Sequence, residues 1–425
     1  TSTSSAPLQS DVPGPGRRRG LDILFRPDSG VWDGSFASNP WLQELPKPLT
    51  KISWGNAIHL SPALARARGL ANGDMVRLSA GGRSIEGPVW ILPGQEMDTV
   101  LVHLGFGRSR NAVGQVGDNV GFDAYPLRTS ASPWIARGGS LERIGGKQEI
   151  ATTQLHFTMA GDNFVRFVDE ADDRIPEEPS HSSFYPAQPK SDPSWGMSID
   201  LDACIGCNAC VTACFAENNI PMVGKEQIAK RRQMHWLRID RYYEGSPDEP
   251  KHMFQPVPCM HCEDAPCEMG CPVNATVHSP DGLNLQIYNR CIGTRTCSAY
   301  CPYKVRRFNW FDYTHDDPPE LQAARNPEVT VRGRGVMEKC TYCIQRIAKA
   351  KIDAETDGRT IADGEVQTAC QQVCPAHAIS FGNVARSDTE VSKRKSSGRE
   401  YDLLPEAQTR PRTTYSARIR KGDIA

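Results

Sequence analysis

Three things are scarce in this 425-residue chain, and each scarcity excludes a class of function. Charge of one sign is the first: 49 Lys and Arg against 50 Asp and Glu leave a net charge of -1. No large basic surface follows from that balance, so nucleic acid is not an expected partner. Long apolar runs are the second, because none approaches the roughly 18 to 20 residues that a membrane-spanning helix needs. Any membrane association is therefore expected to run through other subunits. The third is cysteine outside one region: none occurs before Cys204 or after Cys374. The chain also begins at Thr1 with no charged stretch followed by an apolar one, which reads as a processed product or a piece of something longer.

All 15 cysteines fall in four groups. The first, Cys204-Ile-Gly-Cys207-Asn-Ala-Cys210-Val-Thr-Ala-Cys214, has the bacterial-ferredoxin spacing, in which three thiolates of one tight loop hold a cubane cluster and the fourth crosses to a neighbour. The second comprises Cys259, Cys262, Cys267 and Cys271, the third Cys291, Cys297 and Cys301, and the fourth Cys340, Cys343, Cys370 and Cys374. In the third group Thr294 stands where the spacing calls for a cysteine. A disulfide framework is disfavoured, because cysteines three apart converge on one centre. Zinc knuckles share the paired spacing but do not require the third and fourth cysteines or the Cys-Pro endings at Cys271, Cys301 and Cys374. The pattern selects iron–sulfur clusters. A threonine hydroxyl is a poor substitute for a soft thiolate, so the expected centre at the deficient site is 3Fe-4S, the alternative being a cubane completed by water or hydroxide.

Residues 1–20, with Arg17, Arg18 and Arg19, read as a flexible segment without a core. Residues 21–150 read as a small β-rich domain, a closed or nearly closed barrel with one short helix. Ser61 as N-cap, Pro62 at the first helical position and Gly69 beyond the last predict a helix over Pro62–Arg68. Strands are expected at 75–79 and 83–86 around a Gly81-Gly82 hairpin, and a further strand pair at 89–92 and 99–104 around Pro93-Gly94. Residues 151–195, with Pro176, Pro179, Pro186, Pro189 and Pro193, read as an extended strap. Residues 196–385 hold the cysteine groups in two ferredoxin-like modules, and a helix is expected between Cys343 and Cys370 from Ile344, Ile347 and Ala350. Residues 386–425 read as a tail docking on a partner or on its own domain. His261 and His377 are expected beside clusters or at the surface rather than as ligands. Lys304, Arg306 and Arg307 read as a solvated or docking loop, or as a means of raising a cluster's potential.

The stretch Trp54-Gly-Asn56-Ala-Ile-His-Leu-Ser61-Pro62 with Gly69-Leu-Ala-Asn-Gly73-Asp74-Met-Val76, led into by Trp41 to Pro48, resembles the C-terminal double-psi β-barrel of the molybdopterin oxidoreductase superfamily. That family's pterin-binding domains and metal ligand are not in this sequence. The four groups resemble four-cluster electron-transfer subunits, and that resemblance implies the pairing. One 4Fe-4S cluster takes Cys204, Cys207, Cys210 and Cys374, its partner Cys340, Cys343, Cys370 and Cys214, and a third Cys259, Cys262, Cys267 and Cys301. The 3Fe-4S centre is left with Cys291, Cys297 and Cys271. Barrel, strap and cluster unit on one chain, with Gln255-Pro-Val-Pro-Cys-Met-His-Cys262 and Lys339-Cys-Thr-Tyr-Cys343, resemble the molybdopterin-oxidoreductase-like iron–sulfur subunit of bacterial alternative complex III. The resemblance implies electron transfer from quinol oxidation to multihaem cytochrome c, with no substrate chemistry and no molybdopterin on this chain. It further implies an integral-membrane quinol-binding subunit, upstream molybdopterin-like domains as a separate chain or part of one precursor, and a place on the outer face of the cytoplasmic membrane reached through a twin-arginine signal. The competing readings are the electron-transfer part of a molybdenum or tungsten bis-pterin reductase for polysulfide or thiosulfate, and a colourless zinc scaffold.

Overall fold

The computed structural model describes residues 20–109, 116–170, 172, 174–176 and 191–420. The expected flexible segment with Arg17–Arg19, and Pro179, Pro186 and Pro189 of the expected strap, lie outside the described residues.

The first region is a closed six-stranded barrel. Its strands are β1 (Leu21–Arg26), β2 (Ile58–Leu60), β3 (Asp74–Ala80), β4 (Arg83–Ile91), β5 (Thr99–His103) and β6 (Ile135–Lys147), ordered β1-β5-β2-β4-β3-β6. Pairing is mixed: β1 with β5 and β2 with β4 are parallel, the remaining neighbours antiparallel. Period-two burial along β1 and β3 sends Ile23, Phe25, Val76 and Leu78 inward, against Ile58, Val89 and Val102. Two helices flank it, α1 (Pro40–Glu44) and α2 (Pro62–Arg68). The second lies where the sequence puts it: the Ser61 hydroxyl accepts from the Leu64 amide, and Gly69 ends the helix at φ 61°. Three expectations fail: there are two helices rather than one, and two strand readings do not hold. The segments 83–86 and 89–92 are one strand, β4, and β5 pairs with β1 and β2 rather than with it.

A short strand, β7 (Phe167–Asp169), precedes the thiol-bearing region, which is built on a four-stranded sheet in the order β15 (Ile379–Asn383), β8 (Trp195–Asp200), β17 (Thr413–Ser416), β16 (Glu400–Tyr401). The strand β8 (Trp195–Asp200) enters the first cysteine loop and continues to α3 (Ala209–Glu217) and α4 (Gly224–Ala229). Then come the hairpin β9 (Arg238–Gly245) and β10 (Pro250–Val257), α5 (Pro266–Met269), the hairpin β11 (Thr276–His278) and β12 (Asn284–Gln286), and α6 (Thr296–Tyr300). The two-residue strands β13 (Arg307–Phe308) and β14 (Met337–Glu338) pair before the expected helix α7 (Ile344–Thr356), whose buried face is Ile347, Ala350 and Ala354. The chain closes with α8 (Ala369–Gln372), β15 (Ile379–Asn383), α9 (Glu390–Lys395), β16 (Glu400–Tyr401), β17 (Thr413–Ser416) and β18 (Arg418–Arg420). The last segment is thus built into its own domain: β17 lies parallel to β8, and Tyr415 is fully buried with its hydroxyl donating to the Pro256 carbonyl at 2.7 Å.

The barrel's segment around α1 is set against the first thiol loop. The amide side chain of Asn208 donates to the Pro46 carbonyl, and the buried Glu44 carboxylate accepts from the amides of Val223 and Gly224, both at 2.8 Å to Oε2. Burial pushes the Glu44 carboxyl up to about 7, against the hydrogen bonds from Gly224, Val223 and Trp54 that favour its charged form. The folded protein then keeps a proton that the unfolded chain has released, so stability falls as pH rises from the ordinary value of 4.5 towards about 7. We expect Glu44→Gln to flatten that decline in denaturant titrations across the window; a slope equal to wild type would count against it.

Candidate metal centres

Backbone shape in the cysteine loops follows from a few residues forced to positive φ. In the first loop Gly206 (φ 66°) and Asn208 (φ 65°) bracket Cys207 and start α3, and a Cβ on Gly206 would lie 2.3 Å from the Phe254 ring. The third loop repeats this, with Gly293 (φ 76°) and Arg295 (φ 63°) bracketing Thr294 before α6. Thr294 therefore occupies the backbone place of Cys207, and both are exposed. A second recurring turn follows the Cys-Pro pairs: Asn274, Lys304 and His377, each three residues beyond its cysteine, have φ between 47° and 53°. The helices α3, α5, α6 and α8 each carry one cysteine, with a second four residues on in the same helix or just past its end.

These turns gather the thiols. Cys204, Cys207, Cys210 and Cys374 line one small cavity together with Gly206, Ile239 and Pro375. Cys214, Cys340, Cys343 and Cys370 line another. Cys262 lies within electrostatic reach of Cys259, Cys267 and Cys301, and Cys297 within reach of Cys271 and Cys291. Electrostatic interaction also runs between sets, from Cys370 to Cys210 and from Cys259 to Cys340. Among the described residues no three His, Cys, Asp or Glu side chains converge as tightly as a single ion requires.

Burial pushes these thiols up, Cys204 and Cys267 to about 11 and Cys340, Cys343 and Cys370 to about 12. Bound iron reverses that logic by stabilising the thiolate outright. The surroundings suit thiolate sulfur. Backbone amides point at the sulfurs of Cys271 (Ala275, 3.2 Å), Cys343 (Ala369, 3.4 Å) and Cys374 (Ala378, 3.4 Å). At Cys271 burial is outweighed by the amides of Val273, Ala275 and Thr276, which pull its thiol below the usual range. All-sulfur donor sets ringed by N–H groups fit iron–sulfur clusters.

His261, expected beside a cluster or at the surface, is fully buried; it stacks on Tyr342 at 3.8 Å, and its Nδ1 accepts from the Asn284 amide. His377 is exposed, as one expectation had it. Of the basic run, Lys304 alone is exposed, donating to the Ala299 carbonyl. Arg307 is half-buried and donates to the His235 carbonyl, and Arg306 is buried with one nitrogen 3.1 Å from the Cys267 sulfur. Lys51, unremarkable in sequence, is buried behind the first loop with its ammonium 5.7 Å from the Phe254 ring centre. Burial lowers its pKa to about 7, while Asp240, Cys204 and Cys210 hold it up and Arg241 opposes them.

Comparison with known proteins agrees with this geometry. The family described as 4Fe-4S dicluster domain matches twice, over residues 203–275 and 250–316. The chain is 41% identical over 230 residues, 53% of its length and 89% of the relative, to the menaquinone reductase iron–sulfur cluster-binding subunit of Nitratidesulfovibrio vulgaris. The chain belongs to the family of iron–sulfur subunits of molybdopterin oxidoreductase-type complexes. Within that family it is also 35% identical over 52% of its length to a putative dimethyl sulfoxide reductase iron–sulfur subunit of Halobacterium salinarum, covering 78% of that relative. It is 34% identical over 47% of its length to the Hdr-like menaquinol oxidoreductase iron–sulfur subunit 1 of Archaeoglobus fulgidus, covering 74% of it. Among solved structures, acetylene hydratase from Pelobacter acetylenicus matches 29% of this chain and 18% of its own at a TM-score of 0.22 and 13% identity, too low to define the barrel. As a family member, the chain is an electron-transfer subunit of an oxidoreductase complex. No helix among the described residues is long and apolar enough to cross a membrane.

Proposed function

We propose that this subunit carries electrons from quinol oxidation in a membrane partner to c-type haems, as the iron–sulfur subunit of an alternative complex III. The observation that supports this best is the six-stranded barrel on the same chain as the four thiol sets, with Asn208 and Glu44 joining the two. On this reading the barrel is of the double-psi type and holds no molybdenum. Three tetranuclear centres use Cys204, Cys207, Cys210 and Cys374; Cys214, Cys340, Cys343 and Cys370; and Cys259, Cys262, Cys267 and Cys301. A trinuclear centre uses Cys271, Cys291 and Cys297. When bound, such clusters supply one-electron transfer. The chain's residues hold them in series, aim amides at their sulfurs and exclude water around Cys210, Cys214 and Cys340, which are all buried. The complex is placed on the outer face of the membrane, with upstream molybdopterin-like domains on a neighbouring chain or the same precursor.

A second reading is favoured by relatives such as the arsenate respiratory reductase iron–sulfur subunit of Shewanella sp., 30% identical over 52% of this chain. It makes this subunit the electron carrier of a molybdenum or tungsten enzyme. Metal analysis of the purified complex separates the two. The first predicts iron and acid-labile sulfide for four clusters, haem, and no molybdenum or tungsten. Stoichiometric molybdenum or tungsten would transfer the assignment to the second.

A further inference from the structure

Arg306 presents a problem of charge. It is 5% exposed, and removing a cation from water is costly unless an anion compensates. Its Nη1 donates to Gln286 Oε1 at 2.7 Å and Thr276 Oγ1 at 3.2 Å, its Nη2 to Asn284 Oδ1 at 2.9 Å and to Cys267 Sγ at 3.1 Å. The oxygens are all neutral. Among the described residues none of its hydrogen-bond partners is a carboxylate; Glu268 is one side chain removed, reached through Asn284. The charge of Arg306 also acts on the Cys297 thiol. The anions around this guanidinium are thus cysteine sulfurs, Cys267 and Cys297 foremost, with Cys259 and Cys301 behind them.

Cys267 belongs to the third ligand set and Cys297 to the fourth. We propose that Arg306 is a positioning residue shared by two neighbouring centres, one guanidinium hydrogen-bonded to a sulfur ligand of the third and acting by its charge on a sulfur ligand of the fourth, which raises the reduction potential of both together. This rests on the ligand sets proposed above. A positive charge and N–H donors at the sulfurs favour the reduced, more negative form of each cluster. Guanidinium suits the task because its planar fork donates in several directions at once, whereas an ammonium is a compact charge. The hairpin of β11 and β12 supplies Thr276, Asn284 and Gln286, so the fork cannot turn away from the sulfurs without losing three hydrogen bonds.

The test is a potentiometric titration of the whole complex followed by electron paramagnetic resonance, for wild type, Arg306→Gln and Arg306→Lys, with iron counted in each. With Gln, iron is retained, the midpoints of the third and fourth centres both fall, and those of the first and second stay in place. With Lys, the same two centres fall by less, because the charge remains but the fork is lost. If Gln strips iron from the protein, the Lys variant decides alone: a fall confined to those two centres supports the proposal. Unchanged midpoints, a shift in one centre only, or an equal shift in all four overturns it. A wild-type complex without distinct third and fourth centres would instead overturn the ligand assignment beneath it, before any variant is compared.

Discussion

Thr294→Cys is expected to abolish the oxidised-state paramagnetic signal of the fourth centre and to add one iron to it. Thr294 sits between Gly293 and Arg295 in the backbone conformation that Gly206 and Asn208 give Cys207. Its side chain is exposed and its hydroxyl accepts from Thr296 at 3.3 Å, so a sulfur in its place meets no packing obstacle. What changes is chemistry: a hydroxyl is a hard, weakly acidic donor, and a thiolate is the soft ligand an iron corner takes. Oxidised trinuclear centres are paramagnetic and oxidised tetranuclear centres of this kind are not. The wild-type signal should also be the first to bleach when quinol is added, and turnover of the variant should slow as that acceptor's potential moves. A signal that survives the substitution unchanged, or a wild type that lacks it, would show that the ligand set is misassigned.

The second large effect lies under Cys340. Arg332 and Glu338 form a forked ion pair, Nε to Oε1 at 2.8 Å and Nη2 to Oε2 at 2.9 Å, and both side chains are at 0% exposure. Trp236 Nε1 and Asn309 Nδ2 add two more donors to the same carboxylate. Arg332→Met leaves that carboxylate buried without its cation, and breaking such a pair costs about 3–5 kcal/mol. We expect a matching fall in unfolding free energy by denaturant titration, accompanied by loss of iron, since Glu338 and Cys340 share one short segment. Replacing both members with apolar residues should restore most of the loss, because desolvation of the pair offsets much of its attraction. A single-variant loss below about 1 kcal/mol, the range of exposed pairs, would mean that water reaches the carboxylate.

What the sequence disclosed was local. Ser61, Pro62 and Gly69 define α2 within a few residues of chain, and the cysteine spacings lie within loops, so both could be read directly. The strand β4 could not, because Gly87 and Pro88 look like a break. In the fold Gly87 leaves room for the Phe122 ring, 2.5 Å from where a Cβ would stand, and Pro88 lies opposite Met75 inside the strand. The parallel pairing of β1 with β5 and of β8 with β17 joins segments far apart in sequence, which no local pattern records. Arg306 was hidden for a related reason. A basic run reads as solvated, and the acceptors that draw this one inward are supplied by a hairpin some 20 to 30 residues earlier.

In α3, Cys210 faces the first set and Cys214 the second, both within one helix; in α5, α6 and α8 the second cysteine of the pair lies just past the helix end. An α-helix advances about 1.5 Å per residue, so thiols four residues apart stand about 6 Å apart along a stiff rod. With the ligand sets proposed here, the gap an electron must cross between the first and second centres is then fixed, through α3, by helical pitch rather than by loop length. Tunnelling falls off steeply with distance, so this is the dimension that can least tolerate drift. Insertions such as the stretch from Ala216 to Pro258 can lengthen or shorten to suit a docking partner while that hop keeps its length.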